Sequence, residues 1–391
     1  MKRLLLPALL FTTLTACTAA PAGTLPSVAP TPTPTSTPAP TAAPTPADAL
    51  TPEEKIGQLF IIRPDALDLT LPQETINDAK ADGVTMLTDA MRETLQAYPV
   101  GGICQFGKNI TDPEQLAQFN ADLQAASRTP LFIAVDEEGG AVARLANHPA
   151  FDLPQYESAA AVGASGDPAD ACAMGQTIGA YLKEYGFNMD FAPDADVNTN
   201  PDNPIIGTRA FSSDAATAAE MAAAAADGLR TSGILPTLKH FPGHGDTAED
   251  SHTALAVTYK TLDELQACEL LPFAADTGLH AVMVGHIAAP NVTGDGTPAT
   301  LSPQLVALIP DAENTLIVTD SLAMDAITAA YTPGEAAVQA LQAGCDVLLM
   351  PNSLPEAYAA VLEAVQNGTI SEERLDRSVN KILLYKQQFA S

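Results

Sequence analysis

Cations are scarce in this chain: 18 Lys and Arg stand against 47 Asp and Glu over 391 residues, a formal charge of −29. Phosphate backbones and anionic lipid headgroups require a basic face, so nucleic acid is not expected as a partner. Long apolar runs are missing too, since none approaches the roughly 20 residues of a spanning helix. That excludes an integral membrane protein. Only five cysteines occur, and none is in C-x-x-C spacing. Beyond Cys17, the thiols Cys104, Cys172, Cys268 and Cys345 sit among apolar residues and read as buried and free, with pairing left open. What is plentiful is apolar content, at 46%, which is enough for a large buried core.

The first 17 residues read as an address. Lys2 and Arg3 precede an apolar stretch that ends at Leu14-Thr15-Ala16-Cys17, in the order of a secretory signal. The position of Cys17 resembles the bacterial lipoprotein box, which implies lipidation there and a body held outside the cytoplasmic membrane by a lipid anchor. Residues 18–50 are almost wholly Thr, Pro, Ala and Ser. Such a segment cannot bury a core and favours an extended polyproline stalk, with a reach of about 100 Å at ~3.1 Å per residue. The expected organisation is therefore signal peptide 1–17, disordered stalk 18–50 and one catalytic domain, 51–391.

From Thr51 onward, short apolar runs alternate with Ala-rich helical stretches. The runs 59–62, 102–106, 132–135, 189–191, 235–238, 281–284, 316–318 and 347–349 predict eight buried parallel strands. Helical stretches such as 112–127, 215–231 and 335–343 fall between them. This rhythm predicts an α/β fold, a (β/α)8 TIM-type barrel. A doubly wound open sheet would call for a G-x-G-x-x-G after an early strand, and none is present there.

In such a barrel the residues just after the strands form the active face. Here they are Asp136, Asp194, Asp196, Lys239, His240, His286 and Asp320. Solvated loops account equally well for Asp194, Asp196 and His286. The set suits recognition of sugar hydroxyls and carboxylate-driven glycosyl transfer. The loop 239–252 adds further chemistry, and Gly243 and Gly245 are expected to make it flexible. His244, Asp246, Asp250 and His252 could bind a metal there, although no H-x-x-x-H or compact Cys/His set supports one. Alternatively, Asp250 orients His252 and favours its protonated form, giving a proton donor near neutral pH. A loop histidine bonded for packing alone is the third possibility.

The string K-H-F-P-G-H-G-D-T-x-x-D-S-H over 239–252 resembles the β-N-acetylglucosaminidase branch of glycoside hydrolase family 3. D-x-E-G-G-x-V-x-R at 136–144, I-G-T-R at 206–209, V-T-D-S-L-x-M at 318–324 and A-G-C-D-V-L-L-M at 343–350 resemble further motifs of the family, in order. The resemblance implies Asp320 as nucleophile and His252 as acid/base, with Asp250 as its partner. It also implies Asp136, Arg144, Arg209, Lys239 and His240 as the residues that hold N-acetylglucosamine. It implies a retaining exo-glycosidase that needs no metal or organic cofactor, acting on peptidoglycan fragments or similar glycans. Other family 3 exo-glycosidases, a phosphorylase and, remotely, a sugar-binding lipoprotein are the alternatives. Glu137 stands where many relatives have Gln, and Ala141 where many have Arg; either is expected to alter leaving-group preference or pH optimum. The segment 64–98 is long for a first strand–helix connection and carries no functional reading.

Overall fold

A computed structural model describes residues 45–390 except 250, 252, 253 and 277. The signal segment, Cys17 and nearly all of the stalk therefore lie outside the described residues, as do Asp250 and His252. Eight parallel strands form the centre: β1 Phe60–Ile62, β2 Gly102–Cys104, β3 Phe132–Val135, β4 Met189–Asp190, β5 Leu235–Phe241, β6 Ala281–Val284, β7 Leu316–Thr319 and β8 Leu348–Leu349. They neighbour one another in sequence order, with β1 also paired to β8. A parallel bridge between Val318 and Val347 joins β7 to β8 and closes the barrel. Every residue of these strands is buried. This is why they read as unbroken apolar runs rather than as alternating ones.

Helices clad the barrel where the sequence places capping residues. Asp112 accepts from the Gln115 N–H at the start of Pro113–Ala126, and Asp214 from the Thr217 N–H at the start of Ala215–Thr231. Thr332 and Glu335 cap Pro333–Ala343 reciprocally. Each contact satisfies an N–H that the first helical turn leaves open.

The body begins before Thr51. Pro46–Ala49 form a short 3-10 turn, Ala47 is fully buried, and its N–H donates to Asn380 Oδ1 at 2.9 Å. Composition alone placed these residues in the stalk, because Pro, Ala and Thr serve a tight turn as well as a linker. The segment 64–98 is likewise pinned. Buried Asp65 accepts from the Val84 N–H and from Asn109 Nδ2, while Lys108 Nζ donates to the carbonyls of Thr75, Ile76 and Asp78. The connection is therefore a folded layer around buried polar anchors. Cys104, Cys172, Cys268 and Cys345 are free thiols; the first and last are buried, the other two only half-buried.

Candidate active site

At the C-terminal ends of the strands lies a cavity open to solvent. Asp136, Arg144, Arg209, Lys239, His240 and Asp320 all line it. Asp136 follows β3 directly. A tight hairpin, Glu137–Gly139 with Val142–Ala143, then returns Arg144 to the same wall. Its turn needs positive φ at Gly139 and Gly140 (83° and 65°), which glycine adopts without strain. Lys239 and His240 lie within β5, whose register with β6 shifts between Leu238 and Phe241. Such an irregularity lets two adjacent side chains reach one cavity, where a regular pleat would send them to opposite faces. Arg209 enters from the 3-10 turn Gly207–Arg209.

The deepest charges form one network. Lys239 Nζ lies 2.8 Å from Asp136 Oδ1 and 2.6 Å from Glu138 Oε1. Arg209 grips Glu138 with Nε at 2.8 Å and Nη2 at 2.7 Å, a bidentate pair. Arg144 Nη2 stands 3.5 Å from Asp136 Oδ2. Burial pushes both carboxyls up, but the facing cations outweigh it. Lys239 and Arg144 hold Asp136 far below the usual carboxylate range, and Arg209 and Lys239 hold Glu138 at about 2. Burial disfavours the Lys239 charge, yet Asp136 and Glu138 raise its pKa well above the ordinary value. All are ionised at neutral pH, which presents fixed donors and acceptors in a low-dielectric recess. Sequence reasoning passed over Glu138, although strand alternation carried the signal: Asp136 and Glu138 share one face and Glu137 takes the other.

Glu137 indeed points away from the cavity. Its carboxylate accepts the N–H groups of Leu145 (2.9 Å) and Ala146 (2.8 Å) and the Tyr181 hydroxyl (2.9 Å). Burial raises its pKa, against these hydrogen bonds. It anchors the segment next to Arg144, so the expected influence on the leaving group has no direct contact behind it. Ala141, at the tip of the turn, is exposed.

Asp194, Asp196 and His286, which solvated loops would also have explained, are all buried. Asp196 Oδ2 accepts the His240 Nδ1–H at 2.8 Å, and its Oδ1 accepts the His244 N–H at 2.5 Å. Burial alone would lower the His240 pKa, but Asp196 carries it above the ordinary imidazole value. His244 moves the other way, lowered by burial and by the neighbouring His240 charge. Thr247 gives its hydroxyl proton to the His244 carbonyl (2.9 Å). Its oxygen therefore accepts from Nδ1 at 2.6 Å, and Nε2 accepts from Ser251 at 3.0 Å. His244 is thus a neutral wall residue bonded to Ser251, which lies between Asp250 and His252 in sequence and lines the cavity.

Gly245 sits in this loop because a Cβ there would lie 1.9 Å from the Val197 carbonyl oxygen, and at Gly243 one would press on Glu269 at 2.5 Å. Close approach, not flexibility, explains these glycines. His286 donates Nε2–H to the Ser321 carbonyl at 2.8 Å, and the Ser321 N–H donates to Asp320 Oδ1 at 2.6 Å. The Asp320 N–H is itself tied to the Val284 carbonyl at 2.9 Å. Asp320 is therefore held at the mouth from the β6 side, by Val284 and, through Ser321, by His286.

Among the described residues one group, Asp194, Asp196 and His240, brings three potential metal-ligand atoms together. Two of these side chains already bond each other, and Arg209 Nε stands 3.6 Å from Asp194 Oδ2. A guanidinium thus occupies the electrostatic role a cation would take. Of the four loop residues weighed as metal ligands, His244 has both ring nitrogens on hydroxyls, and Asp246 pairs with Lys260 at 3.3 Å. Asp250 and His252 lie outside the described residues.

Asp194 yields a pH prediction. Burial and then the Asp196 charge raise its pKa to about 7, against Arg209 and His240. Between its ordinary 3.8 and that value, the folded protein keeps a proton that the unfolded chain releases. This contribution to stability is full below pH 3.8 and falls as pH rises toward 7. Asp194→Asn removes the titration, so its melting temperature relative to wild type should climb between pH 5 and pH 7.5. Parallel melting curves for the two proteins across that range would refute the assignment.

The chain matches the glycosyl hydrolase family 3 N-terminal domain over residues 51–384. It is 32% identical over 335 residues to β-hexosaminidase A of Pseudoalteromonas piscicida, covering 78% of this chain and 56% of that protein. It is 33% identical over 347 residues to the β-hexosaminidase LpqI of Mycobacterium tuberculosis, covering 81% and 83%. Among solved structures, the family 3 β-N-acetylglucosaminidase from Paenibacillus sp. str. FPU-7 superposes with a TM-score of 0.78 at 37% identity, covering 87% of this chain and 63% of that one. The chain thus spans little more than half of the Pseudoalteromonas protein and most of the mycobacterial one.

Proposed function

The chain belongs to glycosyl hydrolase family 3, and from that premise we propose that it is a retaining exo-β-N-acetylglucosaminidase. The observation that carries this reading is the cavity itself, with the Asp136–Glu138–Lys239–Arg209 network and the Asp320 carboxylate on its walls. Ionised groups locked in position suit a sugar ring: Asp136 accepts from hydroxyls, and Arg144, Arg209 and Lys239 donate to hydroxyl and carbonyl oxygens. A substrate lacking those hydroxyls would leave the buried charges unanswered and be rejected.

Asp320 attacks the anomeric carbon as the bond to the leaving oxygen breaks, and that oxygen takes a proton from His252. Asp250 beside His252 favours the charged imidazolium needed for this step. A glycosyl ester on Asp320 results. Water then gives a proton to His252 and attacks the anomeric carbon, the ester bond breaks, and β configuration is kept. Side chains and water supply every step. Terminal N-acetylglucosamine on peptidoglycan fragments is the substrate we favour, in keeping with a lipid anchor at Cys17 and an extracytoplasmic body.

Assay of residues 45–391 with the p-nitrophenyl β-glycosides of N-acetylglucosamine and of glucose tests the reading. Release from the first at least about tenfold faster is expected, one hydrogen bond to the acetamido group being sufficient for such a ratio. With phosphate added, the product should remain free sugar; a sugar 1-phosphate would replace hydrolysis by phosphorolysis. Equal rates on the two glycosides, or none on either, would overturn the proposal.

A further inference from the structure

The stretch from His244 to Thr247 is fixed by the segment 196–203. The Asn200 N–H donates to the Gly245 carbonyl at 3.0 Å, and Asn203 Nδ2 donates to the carbonyls of His244 (2.8 Å) and Thr247 (2.9 Å). Asn200 Nδ2 reaches the Thr247 carbonyl as well, at 3.1 Å. Asp196 binds the His244 N–H and the His240 ring through one buried carboxylate, so this base shares a frame with the sugar-side wall. The His244 ring, only 1% exposed, stands on that base and lines the cavity.

Packing alone does not call for an imidazole here. A buried ring nitrogen is costly unless partnered, and an aliphatic side chain of similar size has none to satisfy. What the imidazole adds is direction. Thr247 takes the Nδ1–H, which leaves Nε2 as an acceptor, and Ser251 Oγ donates to it at 3.0 Å. Burial and the neighbouring His240 charge keep the ring in the neutral form that accepts. Ser251 is itself buried, and in sequence it adjoins both Asp250 and His252. Consecutive Cα atoms are only ~3.8 Å apart, so a tether on Ser251 limits the reach of its neighbours.

We infer that His244 is a positioning residue for proton transfer: it holds Ser251 at the cavity wall and thereby sets where His252 delivers its proton. This rests on the reading of His252 as the acid/base. The consequence is selective. A general acid matters where the leaving oxygen cannot depart as an anion, and there it supplies about 10²–10⁴-fold. Loss of the Ser251–His244 bond forfeits part of that factor and leaves Asp320 and the sugar contacts in place.

Two substrates with the same terminal sugar test it: N,N′-diacetylchitobiose, whose leaving alcohol needs a proton, and the 2,4-dinitrophenyl β-glycoside of N-acetylglucosamine, whose leaving group departs as a stable anion. Ser251→Ala and His244→Leu should each lower kcat/KM on the disaccharide about tenfold, the worth of one hydrogen bond, with less than about a threefold change on the dinitrophenyl glycoside. The double variant should lose no more than the larger single loss, since both changes remove the same bond. His244→Gln, whose amide oxygen can accept in place of Nε2, should regain part of the rate. If His244→Leu does not fold, Ser251→Ala on the two substrates decides alone. Equal losses on both substrates, or single losses that multiply in the double variant, overturn the inference and leave His244 a packing residue. His252→Ala separates the inference from the reading beneath it. A disaccharide-selective loss in His252→Ala that is absent from Ser251→Ala overturns the positioning role and keeps the acid/base. The reverse pattern sinks His252 as the acid and keeps His244 and Ser251 in the proton transfer.

Discussion

Asp320→Asn should remain folded and lose at least about a thousandfold in kcat/KM on the p-nitrophenyl N-acetylglucosaminide, roughly 4 kcal/mol of barrier. The amide is the same size, and its oxygen can still accept the Ser321 N–H that Asp320 Oδ1 accepts at 2.6 Å. What disappears is the charge that attacks the anomeric carbon and faces the developing positive charge beside it. Binding of N-acetylglucosamine should survive, since Asp136, Lys239 and Arg209 are untouched. An added small nucleophile gives a sharper readout. In Asp320→Ala, azide should enter from the vacated face and yield the α-glycosyl azide, which an accessory role for Asp320 would not produce. Full activity in either variant would remove Asp320 from the mechanism.

Lys239→Met should be the most damaging change in the recess. Lys239 bridges Asp136 and Glu138, its side chain only 3% exposed. Removal leaves the buried Glu138 and the half-buried Asp136 to share Arg209 and Arg144. Breaking a buried pair in this way typically destabilises by about 3–5 kcal/mol, because the remaining charge has neither water nor partner. The half-exposed pair Lys55–Asp376 provides the contrast, at about 1 kcal/mol or less for Lys55→Met. Urea unfolding of the two variants measures this difference directly. Both acids should also regain protons at higher pH once the cation is gone, since Lys239 is among the groups that hold them down. The acid limb of the Lys239→Met pH–rate profile should therefore move up, along with a kcat/KM loss of about a hundredfold or more, near 3 kcal/mol. Similar stabilities for Lys239→Met and Lys55→Met would show that the network carries no such energy.

All eight strands were legible because a strand buried on both faces is predominantly apolar. Their ends were less so. β5 runs on to Phe241 since Lys239 and His240 continue the ladder as buried, paired charges, where a charged pair after an apolar run resembles the start of a loop. The two-residue pairing of Ala256–Val257 with Ile287–Ala288 is too short to leave a periodic signal. Asp194, Asp196 and His286 could not be told from solvated polar residues, because burial by distant segments is absent from local pattern. Arg63 and Phe106 were silent for a related reason: each follows a different strand, and the pairing of β1 with β2 brings the guanidinium over the ring. Glu137 and Glu138 look alike in composition, and the pleat alone assigns one to the hairpin anchor and the other to the cavity.

Mass spectrometry after incubation with a 5-fluorinated N-acetylglucosaminyl fluoride, a reagent that forms the glycosyl ester faster than water cleaves it, tests the central claim most directly. One 5-fluoro-N-acetylglucosaminyl adduct per chain is predicted, on the peptide that contains Asp320, appearing as activity is lost. Steady turnover with no adduct, or an adduct on a different carboxylate, would contradict the assignment of Asp320 as the nucleophile.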